Sequence, residues 1–311
     1  MNAAIKERLN TVRRDVGEAR KCENINDPVD TYVIDEVAMI WSKLCIRLHI
    51  IPNVVTMLSM LNGVAGGVML AVSHSLGMDL LGALLVIHSV VLDASDGQVA
   101  RLTKHFSPLG RPLDGLSDGT VYFTLYLACI LRLWNRSPLG SVNLWHGLLL
   151  LLLPVVFLLY VAQCQLPDYF KNLHMYMIDN AHGHELDRAR NIQERHREAP
   201  RGSLNRLSLF FYYQYTSTQE RRAPKTQELL DAIEENGKNQ ALCDAFYETS
   251  RSLVKKTNFL TVNLRTFVML LCMLLHQELL GLLFTIVVLE PIRWALLWKY
   301  ERLSQRLLPL V

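Results

Sequence analysis

The sequence predicts an all-α integral membrane protein with six transmembrane helices, an N-terminal interfacial amphipathic helix and a cytoplasmic helical insert. Three observations carry this reading. Half of the 311 residues are apolar, and they fall in long blocks separated by strongly polar stretches. Six of these blocks approach the roughly 20 apolar residues that a helix needs to cross the hydrocarbon layer. The carboxylates that lie inside them gather mainly at one junction.

Composition removes several classes. With 32 Lys+Arg against 29 Asp+Glu the net charge is only +3, which argues against a nucleic-acid binder. Six cysteines lie far apart and none forms a C-x-x-C, so neither a disulfide scaffold nor a structural zinc site is expected. Residues 1–30 are charged throughout and hold no apolar run of the kind that marks a signal peptide.

Residues 1–52 form the N-terminal cytoplasmic segment and a juxtamembrane helix. Val33, Val37, Ile40, Trp41, Leu44, Leu48 and Ile51 share one helical face, with Asp35, Glu36, Lys43 and Arg47 elsewhere, the pattern of a helix lying in the interface. Residues 53–166 hold four spans, near 53–72, 80–102, 113–133 and 144–166. Gly63 and Gly67 give the first span a G-x-x-x-G face for close helix packing, and Pro154 predicts a kink in the fourth. Residues 167–256 are the insert, with fourteen Lys/Arg against thirteen Asp/Glu. Helical patterns cover 187–197 and 226–256, interrupted near Gly237, and an aromatic run from Phe210 to Tyr215 lies between them. The balanced charge reads as a solvated cap. His182-Gly183-His184-Glu185 suits no common zinc spacing, and Asn135-Arg136-Ser137 is a sequon by letter only. Residues 257–311 supply the last two spans, near 257–275 and 279–298, and a tail. Lys/Arg cluster before residue 53, in the second–third link and in the tail, which places both termini and that link in the cytoplasm.

The chemistry sits at the second–third junction. Asp93, Asp96 and Arg101 lie on the second span, Asp114 and Asp118 on the third. An ionisable group inside a span costs about 2.5–3.5 kcal/mol on insertion scales. On the second helix Asp93, Asp96, Gly97, Ala100 and Arg101 fall within an arc of roughly 140°. Gly110, Asp114 and Asp118 step by four along one stripe. Four carboxylates against one guanidinium leave a negative deficit that two divalent cations with oxygen ligands would cover, magnesium or manganese being the hard ions suited to it. Gly97, Ala100 and Gly110 leave room for a ligand to approach the backbone. Paired metals edged by an arginine suit phosphoryl transfer. An intramembrane salt-bridge network or a cation pathway would also place charge here, although the glycine and alanine spacing serves neither.

The run Asp93-x-x-Asp96-Gly97-x-x-Ala100-Arg101, followed after eight residues by Gly110-x-x-x-Asp114-x-x-x-Asp118, resembles without departure the signature of the CDP-alcohol phosphotransferases, also called CDP-alcohol phosphatidyltransferases. Pro52-Asn53-Val54-Val55-Thr56 looks like the family's start of its first membrane helix, and six spans behind a juxtamembrane helix are its common core. The resemblance implies that Asp93, Asp96 and Asp114 hold two Mg2+ or Mn2+ ions, while Asp118 completes the metal site and acts as general base. Gly97, Ala100, Arg101 and Gly110 would cradle the cytidine diphosphate moiety, with Ser107, Asn53 and Thr56 reaching the nucleotide from the side. The implied reaction is attack of an acceptor hydroxyl on the β-phosphorus of a CDP-linked donor, with release of CMP. Six spans suit CDP-diacylglycerol as a lipid donor to a polar alcohol. Ser107-Pro108-Leu109-Gly110 looks somewhat like the branch that passes a CDP-aminoalcohol's phosphoalcohol to diacylglycerol. The long insert departs from the compact bacterial enzymes. The expected setting is the plasma membrane, with the active site facing the cytoplasm, membrane lipids as neighbours, no nucleic-acid partner and a homodimeric assembly. A non-catalytic membrane scaffold or a cation transporter is the rival from another class.

Overall fold

The computed structural model describes residues 33–105, 107, 110–136, 144–178 and 186–311. The charged N-terminal stretch, Ser137 of the sequon and the 182–185 run lie outside these residues. Among the described residues no strand occurs, and six helices are long and apolar enough to cross a membrane. A short helix α1 (Asp35–Arg47) precedes four long ones: α2 (Pro52–Ala71), α3 (Leu76–Thr103), α4 (Gly110–Asn135) and α5 (Leu144–Ile178). Then come α6 (Ala189–Glu198), α7 (Leu204–Arg222), α8 (Pro224–Asn236) and α9 (Gln240–Thr257). The chain ends with α10 (Val262–Leu274), α11 (Glu278–Leu283) and α12 (Glu290–Leu307).

Local chemistry explains the helix ends. Ile51 is extended and Pro52 opens α2, where its missing N–H would have had no partner anyway. Ser75 caps α3 by accepting from the Met78 amide at 3.4 Å. Lys104 closes α3 in the left-handed region, φ 53°. The helix of the fourth span does not end at residue 166: α5 continues across Pro154 and on to Ile178. Gly237, φ 87°, separates α8 from α9. In the last span Pro291 has no amide to offer the preceding turn, and a π-helical segment, Phe284–Leu289, lies just before it.

One compact unit comprises the described residues up to Leu158 together with Arg265–Phe284. Its tightest packing is around α2. A Cβ added at Gly66 would lie 2.6 Å from the Gly82 carbonyl oxygen of α3. One added at Gly63 would lie 2.5 Å from Val121 Cγ2 of α4, and one at Gly67 2.8 Å from Thr124 Cγ2. The G-x-x-x-G residues Gly63 and Gly67 therefore do meet side chains of α4, while the backbone contact with α3 is made by Gly66 beside them. Helix α1 lies on α3: Ser42 Oγ donates to Gln98 Oε1 (2.9 Å) and Ser95 Oγ to the Ala38 carbonyl (3.0 Å). Ala38, Met39, Ser42 and Cys45 of α1 are buried there, while Val37, Ile40 and Leu44 are exposed on its other side. At the opposite end of α3 and α4 a buried ionic cluster joins several elements. Arg132 pairs with Asp79 and with Glu278 (3.3 Å), and donates to the carbonyls of Leu70 (2.7 Å) and Met273 (2.9 Å). Arg136 adds a 2.7 Å pair to the second Glu278 oxygen.

The other unit comprises residues 159–264 and 285–311. Here α12 packs against α8 and α9, and Tyr300 stacks on Phe170 of α5 with ring centroids 3.6 Å apart. Glu301 caps α8, accepting from the Lys225 amide at 2.8 Å and the Thr226 amide at 3.1 Å. Arg188 ties the α6 end to α7 and α8 through Glu220 (3.6 Å), Asp231 (2.5 Å) and Glu234 (3.4 Å). Glu290 and Arg293 pair at 2.5 Å, and Gln163 donates to Glu290 at 3.0 Å.

The glycine contacts give a direct stability test. Gly66→Ala forces its methyl into backbone and is expected to cost about 1–3 kcal/mol through overpacking. Gly77→Ala, with nothing within 4 Å of the added methyl, is expected to be neutral or slightly stabilising. Thermal unfolding of the two variants in the same detergent checks the contrast.

Candidate active site

All eleven residues singled out from the sequence fall in the first unit, on α2, α3, α4 and the α3–α4 link. The structure brings three carboxylates together. One oxygen from each of Asp93, Asp96 and Asp114 can be chosen so that all lie within 4.8 Å of one another. Asp93 and Asp96 are half-buried on α3; Asp114 is exposed on the first turns of α4. Asp118 stands one turn further along α4, outside this trio, yet near enough for its charge to act on Asp93, Asp96 and Asp114.

Two features distinguish the trio from an ordinary polar surface. Asp93 Oδ1 is buried and has no hydrogen-bond partner among the described residues. A buried carboxylate oxygen without a donor is costly unless a cation or another donor meets it. The other feature is the bracing of Asp96: Thr56 Oγ1 of α2 donates to its Oδ2 at 2.5 Å, holding that carboxylate in one orientation. The donor set is all oxygen, clustered and negatively charged, which suits a hard divalent cation.

Beside the carboxylates lies a small-residue face. At Gly97 an added Cβ would sit 3.2 Å from a terminal nitrogen of Arg101, so the guanidinium lies against the bare glycine. Asp96 and Asp35 both act on Arg101 electrostatically. Asp35 was not among the residues singled out for the site; it stands on the first turn of α1, on that helix's polar side. Ala100 is half-exposed one turn beyond Gly97. At Gly110, where α4 begins, an added Cβ would meet nothing within 4 Å among the described residues. Asn53 Nδ2 donates to Ser107 Oγ at 3.3 Å, which joins the start of α2 to the α3–α4 link. The intervening motif positions Ser95 and Gln98 face the other way and hold α1 instead. His88 makes a hydrogen bond with Asn62 (3.1 Å) beside the Trp41 ring, as a structural histidine does.

Residues 49–168 match the family model described as CDP-alcohol phosphatidyltransferase. The matched stretch contains every residue of the site from Asn53 to Asp118. No curated protein and no solved structure matches the chain. The family is one of transferases, and the match supports a membrane-embedded transferase of the kind used in phospholipid synthesis.

The Gly97–Arg101 contact is testable on its own. Gly97→Ala meets only the far end of a flexible side chain, so the fold should survive, but the guanidinium must move. At 3.2 Å the guanidinium has to give by a few tenths of an ångström. Transfer activity should therefore fall several-fold, short of the about 10²-fold that a 1 Å misplacement costs, while the thermal unfolding midpoint stays near wild type.

Proposed function

We propose that the chain is a metal-dependent CDP-alcohol phosphotransferase that moves a phosphatidyl group from CDP-diacylglycerol to a polar alcohol and releases CMP. The observation that carries this is the trio Asp93, Asp96 and Asp114, with its orphaned buried oxygen, set beside the Gly97–Arg101 face within the matched stretch. Asp93, Asp96 and Asp114 would hold two Mg2+ or Mn2+ ions, with Asp118 offering a further oxygen. Bound there, divalent cations supply charge neutralisation on the donor's phosphates and on the departing oxygen.

The chain's own groups do the rest. Arg101 faces the diphosphate with a forked donor that matches phosphate oxygens, and Gly97, Ala100 and Gly110 let the cytidine diphosphate lie close to the backbone. Thr56 fixes Asp96, and the Asn53–Ser107 pair borders the nucleotide. Asp118, one turn further along α4 than Asp114, is the carboxylate suited to take a proton. An acceptor hydroxyl oxygen forms its bond to the lipid-bearing phosphorus as the bond from that phosphorus to the bridging oxygen breaks. CMP departs with that electron pair, and the hydroxyl proton passes to Asp118.

The donor assignment rests on the six-span frame, which offers a tailed substrate a lateral approach. A CDP-aminoalcohol with diacylglycerol as acceptor is the second reading, favoured by the Ser107–Gly110 segment. The distribution of Lys/Arg supports a site at the cytoplasmic face. The plasma membrane and a homodimer carry over from the resemblance alone.

Two outcomes check the proposal. Purified protein given CDP-diacylglycerol and a panel of polar alcohols should release CMP, lose that activity in chelator and regain it with Mg2+ or Mn2+. Asp93→Asn should abolish it in folded protein. Turnover only with soluble CDP-aminoalcohols and diacylglycerol would reverse the donor assignment, and full activity in excess chelator would remove the metals. Separately, Arg101→Lys should weaken donor binding by about tenfold or more, since an ammonium cannot reproduce the bidentate contact; equilibrium binding of a non-hydrolysable CDP analogue measures it.

A further inference from the structure

The first half of α7 presents an apolar face that is exposed among the described residues. Leu204, Leu207, Phe210 and Phe211 are 69%, 54%, 41% and 59% exposed. On a helix they fall within roughly 120° of arc. Continuing along the same stripe, Gln214, Thr218 and Arg221 are polar, so the apolar face is confined to the first turns. The buried face of α7, marked by Ser208, Thr216 and Gln219, points elsewhere. Four large side chains in water would be an aggregation liability on a solvated cap.

The attachment of α7 sets its level relative to the bilayer. Helix α5 has 35 residues, about 52 Å of helix against a hydrocarbon core of about 30 Å. Its apolar run ends near Leu166, where Gln163, Gln165 and Asp168 begin the polar stretch. Helix α7 is bonded to α5 at that level. Tyr215 Oη donates to Asp168 Oδ2 (3.1 Å), Gln219 Nε2 to the Gln165 carbonyl (3.1 Å), and Arg222 to Gln165 Oε1 (2.6 Å). Side chains spread over two turns of α7 thus converge on α5 positions within one turn. These bonds anchor the second half of α7 to α5 where the apolar run ends.

Charge fits the same surface. Arg197 and Arg201 are exposed just before α7, and Arg206 lies in its first turn. Aromatic and aliphatic residues flanked by arginine suit the boundary between acyl chains and anionic headgroups.

We infer that the first turns of α7 lie on an anionic bilayer surface, with Leu204, Leu207, Phe210 and Phe211 dipped into the acyl boundary. The insert is then a peripheral membrane element of an already anchored chain. This does not depend on the catalytic reading, and Asp93→Asn or chelator should leave it unchanged.

The test is site-specific photocrosslinking in the full-length protein, reconstituted in nanodiscs that contain a tail-labelled anionic lipid. p-Benzoylphenylalanine replaces Leu207 or Phe211 on the apolar face, or Asn205 on the opposite, exposed flank. Lipid adducts at 207 and 211 should exceed those at 205 by about tenfold, as a one-sided interfacial helix requires. They should fall several-fold when the anionic lipid is replaced by a zwitterionic one. Equal labelling of both flanks, or adducts mainly to a second copy of the chain, would overturn the inference. Undiminished labelling in zwitterionic discs would overturn its anionic part.

Discussion

Four carboxylates gathered where two membrane helices meet constitute the constraint on which the rest of the first unit depends. Their mutual repulsion and their desolvation both oppose the arrangement. Among the described residues Thr56 offers a hydrogen bond to Asp96, Arg101 a positive charge on which Asp35 also acts, and Asp93 Oδ1 has no hydrogen-bond partner. Such a junction holds only if the helices are fixed by something else. Close backbone approach does this. With Gly66 against Gly82, and Gly63 and Gly67 against α4, the helix α2 serves as a spacer that sets how α3 and α4 stand.

Small residues consequently have two distinct uses here. In the middle of α2 they remove side chains so that helices can touch. At Gly97 and Gly110 they remove side chains so that something else can: Arg101 at the first, and at the second a space that no described residue fills. The carboxylate trio and this face adjoin one another on α3, which is how one short motif both concentrates charge and leaves a floor beside it.

Much of this was legible in the sequence because membrane insertion makes every charge conspicuous. Asp93, Asp96 and Asp114 stood out against apolar neighbours, and helical spacing alone brought them onto converging faces. What the spacing did not reveal was long-range. Gly82 has no glycine partner on its own helix; its role appears only when Gly66 is set against it. Asp35 lies on a helix read for its apolar side, so its influence on Arg101 was hidden. The continuation of α5 to Ile178 was missed because the apolar run stops near residue 166, and outside the bilayer a helix needs no apolar signal to continue. Asp79 and Glu278 are separated by some two hundred residues, and nothing in either neighbourhood points to Arg132.

That last cluster bears on how the chain is made. Arg132 and Arg136 sit at the end of α4 opposite the carboxylates, on a side otherwise poor in Lys/Arg. Asp79 precedes them in the chain, but Glu278, which receives both guanidinium groups, follows Arg132 by 146 residues. During synthesis Arg132 can therefore pair with Asp79 as soon as the third span is in place, while Arg136 and the second ion pair of Arg132 wait for Glu278. Insertion of the final hairpin supplies it, and the Met273 carbonyl with it. Helices made later thus latch earlier ones, and the early spans reach their final packing only once the hairpin that carries Glu278 has inserted.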